Sequence, residues 1–111
     1  MAVTNKVLIT SKQAENTQST QYTASNCKAI VDKFTATNTS AANVTISINI
    51  PNSSGSPGTA NLIVNARAIA PNETYTFPEM VGQTLESGQY ISTIASAASS
   101  LTIRASGREI V

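Results

Sequence analysis

The sequence predicts an all-β domain: an antiparallel β-sandwich of jelly-roll or immunoglobulin-like type, with about seven to eight short strands. Three observations carry that prediction. Apolar and polar residues alternate without a break through residues 43–50, so Val44, Ile46, Ile48 and Ile50 share one face while Thr45, Ser47 and Asn49 share the other. Short segments of the same character recur along the chain between turns rich in Ser, Asn, Gly and Pro, and none has the period of an amphipathic helix. Charged residues are only 12% of the chain, aromatics 5%, and Trp is absent, so Ser, Thr and Asn must cover the surface. At 111 residues the chain reads as one domain, residues 1–111, whose modest core a partner subunit would help to stabilise.

The segment 43–50 is the organising strand, because burying each of its β-branched inward residues is worth roughly 1.5–3 kcal/mol. Before it, residues 6–10 read as a first strand, with Val7 and Ile9 on one face and Leu8 on the other. Residues 11–20 are polar and featureless, which makes residues 1–20 a candidate extended arm and loop. A short strand or turn follows at Tyr22 and Thr23. Residues 28–38 resume the strand pattern with Ile30, Phe34 and Ala36 on one face, interrupted by Asp32, which indicates an edge, a bend or a paired acid. Residues 37–43 form a turn, so the strands on either side of it are expected to pair as an antiparallel hairpin.

Prolines and glycines in residues 51–59 specify a surface loop. Residues 61–70 then place Leu62, Val64, Ala66 and Ala68 on one face and Ile63, Asn65, Arg67 and Ile69 on the other, with an occupied outer surface expected. Tyr75 and Phe77 enter the core together after the turn at residues 71–73. Residues 78–82 suit one helical turn, with Pro at its start and Gly at its end. Residues 90–95 and 101–105 form a second expected hairpin, and Ser106-Gly107 suggests a bulge or kink before the end.

Composition disfavours most chemistries. There is no His, and the six acidic residues are dispersed without an Asp-X-Asp pair, so no catalytic residue, cofactor site or metal site is predicted. Asp32 is expected to form a salt bridge with a Lys or Arg, or a turn contact, rather than a metal or acid-base site. Cys27 is alone, which suits small core filler rather than an activated thiolate. The net charge is +1 with the seven basic residues scattered, so no nucleic-acid footprint forms. No apolar run approaches the roughly 20 residues needed to span a bilayer. Residues 1–10 do not read as a secretory signal, so synthesis in a reducing cytoplasm is expected, with the Asn-X-Ser/Thr triplets at Asn38, Asn43, Asn52 and Asn72 serving as turn chemistry.

The runs KAIVDKFTATNTS at 28–40, VTI at 44–46, IAPNETY at 69–75, LESG at 85–88 and LTIRASGREI at 101–110 resemble small structural proteins of tailed bacteriophages. The resemblance covers most of the chain from Lys28 onward. It implies a virion component made in the host cytoplasm, built as a β-sandwich and often trimeric, that decorates or cements the capsid or sits at the neck or tail. Strand and turn patterns of this style also occur in bacterial adhesion modules and carbohydrate-binding domains.

Two function classes follow. The first is a non-enzymatic capsid decoration or cement protein, a homotrimer contacting the major capsid protein or another virion protein, with no nucleic acid and no membrane involved. A neck or tail accessory protein is the alternative within that structural class; the second class is a module binding carbohydrate on a host surface. Candidate partner-binding residues are Val7, Leu8 and Ile9 on the arm, Asn52, Ser53, Ser54, Gly55 and Ser56 on the loop, and Arg67 on the outer strand face.

Overall fold

The computed structural model describes residues 2–111. Among the described residues there are nine strands: β1 (Val3–Gln13), β2 (Ser19–Thr23), β3 (Lys28–Asn38), β4 (Val44–Asn49), β5 (Leu62–Ile69), β6 (Thr74–Thr76), β7 (Thr84–Leu85), β8 (Tyr90–Ala95) and β9 (Leu101–Ile110). They form two antiparallel sheets, ordered β1-β9-β3-β6 with β7 also on β3, and β2-β8-β4-β5. The pairing is nested: first strand with last, β2 with β8, β3 with β6 and β7, and β4 with β5. Nested pairs split between two facing sheets are the jelly-roll solution. An immunoglobulin-like sandwich would instead set its first two strands side by side, whereas here β1 and β2 lie in different sheets.

The core lies between the sheets. Val44, Ile46, Ile48 and Ile50 are buried on the face that their alternation predicts, and Phe34, Ile69, Phe77, Met80, Leu85, Ile91, Leu101 and Ile103 are wholly enclosed with them. Cys27 is buried among them as filler.

Neither expected hairpin forms. β3 and β4 belong to opposite sheets, as do β8 and β9, so residues 39–43 and 96–100 are corners that carry the chain across the core. Asn38 explains the first corner. Its side chain is fully buried; Nδ2 donates to the carbonyls of Ala42 and Ile69 at 2.8 Å each, and Oδ1 accepts from the Ser40 backbone at 2.8 Å. The consecutive strands that do pair in one sheet are β4 and β5, across the long loop between them.

Bulges overturn three face assignments. An extra residue in β1 at Leu8 turns both Leu8 and Ile9 inward, at 6% and 2% exposure. An extra residue in β3 at Asp32 puts Ala29 and Val31 inside with Phe34 and Ala36, leaving Ile30 on the outer face. In β5 the register slips between Val64 and Arg67, where Ala66 takes a left-handed φ of 49° and donates its N–H to Ser47 Oγ at 2.9 Å. Val64 and Ile69 consequently both face the core. Of the three register shifts that flank β9, the two at Leu8 and Asp32 lie beside Ser106 and Gly107, where the sequence suggests an irregularity; the third falls between Ile9 and Lys12, and β9 itself runs on to Ile110.

Residues 78–83 form successive turns instead of a helical turn, with Met80 N–H donating to Phe77 O at 3.2 Å and Gln83 N–H to Met80 O at 3.2 Å. Gly82, at φ 83°, ends them and donates to Val31 O at 2.7 Å. Met80 is nevertheless fully buried in the core. Residues 11–20 are likewise less open than the loop reading has them, because β1 runs to Gln13 and β2 starts at Ser19.

Candidate functional site

The jelly roll has two distinct ends. Residues 24–27, 50–61 and 77–89 gather at one, held by backbone bonds such as Ala24 N–H to Gln89 O at 2.9 Å and Gly88 N–H to Ala24 O at 2.6 Å. Residues 14–18, 39–43, 70–73 and 96–100 gather at the other, with Thr39 N–H donating to Ser100 O at 2.8 Å, Ala14 N–H to Leu101 O at 2.8 Å and Asn72 N–H to Asn38 O at 2.9 Å. The candidate loop residues Asn52, Ser53, Ser54, Gly55 and Ser56 are exposed at the first end. Their loop is built from amides: Asn61 Oδ1 accepts from Gly58 N–H at 3.0 Å and from Asn49 Nδ2 at 2.8 Å, while its Nδ2 donates to Ser56 O at 3.0 Å. Gln89 Nε2 donates to Asn52 Oδ1 at 2.9 Å and Tyr90 OH to Gly55 O at 2.6 Å, tying the tip to the start of β8. The loop is thus a shaped projection, with less ordering entropy to lose on docking than a free strap.

The arm reading does not survive. β1 pairs along its length with β9 of its own chain, and Leu8 and Ile9 belong to the core. Met1, the first residue of that arm, lies outside the described residues. Val7 alone of the three faces outward, 38% exposed, beside a shallow hollow of ≈ 390 Å³ lined also by Asn5, Lys6, Asp32, Ser106 and Gly107. Arg67 lies elsewhere again, its guanidinium carbon 4.0 Å from the Tyr75 ring centroid. Tyr75 meets Phe77 edge-on at 4.8 Å, and Phe77 meets Phe34 at 5.3 Å. This stack joins β5 to β6, the outer strands of the two sheets, at their open side. The predicted contact residues therefore occupy three separate places.

No protein-family model matches the chain, and no curated protein matches it. Among solved structures, a chain in the structure of infectious bursal disease virus, Gx strain, has a similar fold: the TM-score is 0.53 at 9% identity, covering 99% of this chain and 32% of that one. This chain thus spans about a third of the length of the chain it matches.

The electrostatics are those of a tied scaffold. Asp32 accepts from Arg108 through both oxygens, at 2.9 and 3.1 Å, the salt bridge expected of it. Glu15 is held below the usual carboxylate range by hydrogen bonds from Lys12 first and Gln21 second. Sequence reasoning missed a clasp in which Tyr22 and Lys6 both donate to Glu109, because nothing local links residues so far apart in the chain. A second hollow, of ≈ 260 Å³, lies on the outer face of the smaller sheet, lined by groups including Gln18, Ser47, Asn49, Asn65, Leu62 and Ile94. Its amide donors are partly engaged already, Asn49 Nδ2 with Gly58 O and Gln18 Nε2 with Ser92 Oγ. No aromatic ring lines it, so it lacks the stacking platform that suits a sugar.

Proposed function

We propose that this protein is a non-enzymatic structural component of a virion, a capsid decoration or cement protein of a tailed bacteriophage, acting as a homotrimer on the major capsid protein. The observation that carries this reading is the jelly-roll fold of this chain, which over 99% of its length is similar to part of a chain from a virus structure. The side chains support it: polar groups at the loop end are spent on shaping loops, and the carboxylates are mostly spent on ion pairs. A cement protein needs only shape and many modest contacts. A trimer engaging three equivalent lattice sites converts weak single contacts into strong avidity. Each subunit contact would need to bury roughly 800 Å² per partner to be stable, an area a sheet face or loop end can supply.

The test mixes purified protein with particles lacking it, then measures copies bound and resistance to heat. Stoichiometric binding to the capsid lattice with a raised disruption temperature is the expected result. A few copies per particle would move the assignment to neck or tail, and no binding to any virion part would favour a host-surface carbohydrate module. Light scattering decides the oligomer: a monomer mass across micromolar concentrations would remove the trimer.

A further inference from the structure

Four of the seven basic side chains here face a carboxylate within the fold. Lys6 lies 3.2 Å from Glu109, Lys12 2.8 Å from Glu15, Lys28 3.8 Å from Glu86 and Arg108 2.9 Å from Asp32, while Arg67 rests on the Tyr75 ring. Lys33 on β3 and Arg104 on β9 have no carboxylate within 4.0 Å among the described residues. These two are neighbours. Lys33 stands opposite Ser106 and Thr35 opposite Arg104 on adjacent strands, so two cations occupy one diagonal of a square and two hydroxyls the other. The four line a hollow of ≈ 170 Å³ on the outer face of the larger sheet, with both cations exposed.

Diagonal neighbours on a sheet face have Cβ atoms roughly 7–8 Å apart, a spacing that lets an ammonium and a guanidinium converge on one oxyanion between them. Asp32, in the adjoining bulge, does not serve as that anion: it lies beyond 4.0 Å of both cations, and its charge is already balanced by Arg108, which donates to both of its oxygens. Two cations held together without a counter-charge repel, and an external anion relieves the repulsion.

We propose that Lys33, Arg104, Thr35 and Ser106 form a docking site for an acidic side chain, Asp or Glu, on the surface of a partner protein. Charge complementarity selects the class, since this block is an uncompensated positive spot on a sheet face otherwise rich in Thr and Ser. The hollow is open and solvated, where a free small anion would gain little. A carboxylate presented by a protein brings further contact area with it. That the partner is a protein surface rests on the structural role proposed above; the site itself does not.

The experiment titrates the isotope-labelled full chain with a hexaglutamate peptide at low salt and follows backbone amide shifts. Three proteins are compared: wild type, Lys33→Gln/Arg104→Gln, and a charge-matched control, Lys12→Gln/Lys28→Gln. All four substituted side chains lie at least partly in solvent, and thermal melts confirm that each variant folds. Saturable shifts clustered at residues 33–35 and 104–106, at least about tenfold weaker binding in the site variant, and unchanged binding in the control are the expected results. Shifts spread over the surface, or equal losses in both variants, would overturn the site. Saturation by sodium phosphate but not by hexaglutamate would overturn protein docking in favour of a small-anion site. Failure of the particle-binding test would leave this titration unchanged, and failure here would leave particle binding through other surfaces standing.

Discussion

The phenol of Tyr22 on β2 donates a 2.5 Å hydrogen bond to Glu109 on β9, so one side chain from each sheet clasps the sandwich at its loop end. Lys6 donates to the other carboxylate oxygen at 3.2 Å. Tyr22 is the largest influence holding the Glu109 carboxyl below its ordinary range, with Lys6 adding to it; burial first, and then the carboxylate, push the phenol upward. A carboxyl depressed by folding contributes stability that is present above its unfolded pKa and lost as pH falls through its folded one. A raised phenol contributes stability that is present below its unfolded pKa and lost as pH rises towards its folded one. The melting temperature should therefore fall on acidification below about pH 5 and again above about pH 10. Tyr22→Phe should cost about 1 kcal/mol at neutral pH and flatten both limbs, with Glu15 retaining part of the acid one. Thermal melts across pH test this, and an acid limb identical to wild type in Tyr22→Phe would show that the clasp contributes nothing in solution.

Gly107 sits where the bulges of β1 and β3 converge on β9. A Cβ at this position would overlap the carbonyl oxygen of Ile30 and come within 2.9 Å of Leu8 Cδ1. Gly107→Ala should accordingly destabilise by about 3 kcal/mol, since backbone and a core side chain must both shift. Gly58 is the comparison, because a Cβ there meets nothing within 4 Å and the backbone is extended at φ −164°. Gly58→Ala should stay within about 0.5 kcal/mol of wild type in urea unfolding.

The outcome at Gly107 also marks how far the sequence is legible. Strict alternation from Val44 to Ile50 identified the core face of β4 correctly, because an unbulged inner strand has the same period in sequence and in space. Where a strand bulges, the period breaks without a local signal: Leu8, Ile30 and Ala66 were each assigned a face by parity, and one extra residue reversed it. Asp32 nonetheless signals its bulge as a charge in an apolar run, and Ser106-Gly107 signals the irregularity on the partner strand between the bulges of β1 and β3. Turn chemistry at residues 39–43 was legible too, but whether a turn returns a strand to its own sheet or carries it to the other depends on Asn38 reaching Ile69, a contact distant in sequence. For the candidate site the lesson is similar. The exposed loop tip could be read from its composition, whereas the pairing of Lys33 with Arg104 on one face exists only through the β3–β9 register.

The Asn38 corner yields its own prediction. Asn38→Ala removes two donors and an acceptor from a fully buried position, leaving the Ile69 carbonyl without that partner. A loss of about 2–3 kcal/mol is expected. Asn38→Asp should be worse than Ala, because a buried carboxylate would face the carbonyls of Ala42 and Ile69. Denaturant unfolding of the two variants checks the order, and Asp tolerated better than Ala would mean that the corner relaxes to admit solvent.

Removing residues 1–10 separates the arm reading from the observed strand. An arm that merely paired with a neighbouring subunit could be cut away with loss of the oligomer and retention of the fold. Here the deletion strips most of β1 from β9 and removes Leu8 and Ile9 from the core. Losing those two buried side chains alone forfeits roughly 3–6 kcal/mol, comparable with the total stability of a domain this size. It also exposes the long edge of β9, which would then pair with whatever strand it meets. The truncated protein should therefore be unfolded or aggregated, with no cooperative thermal transition, while the point variant Val7→Ser, at the outward position beside Leu8, should keep the wild-type melt within about 0.5 kcal/mol. A truncated chain that melts cooperatively near the wild-type temperature would mean that β1 is dispensable to the sandwich and would restore the arm.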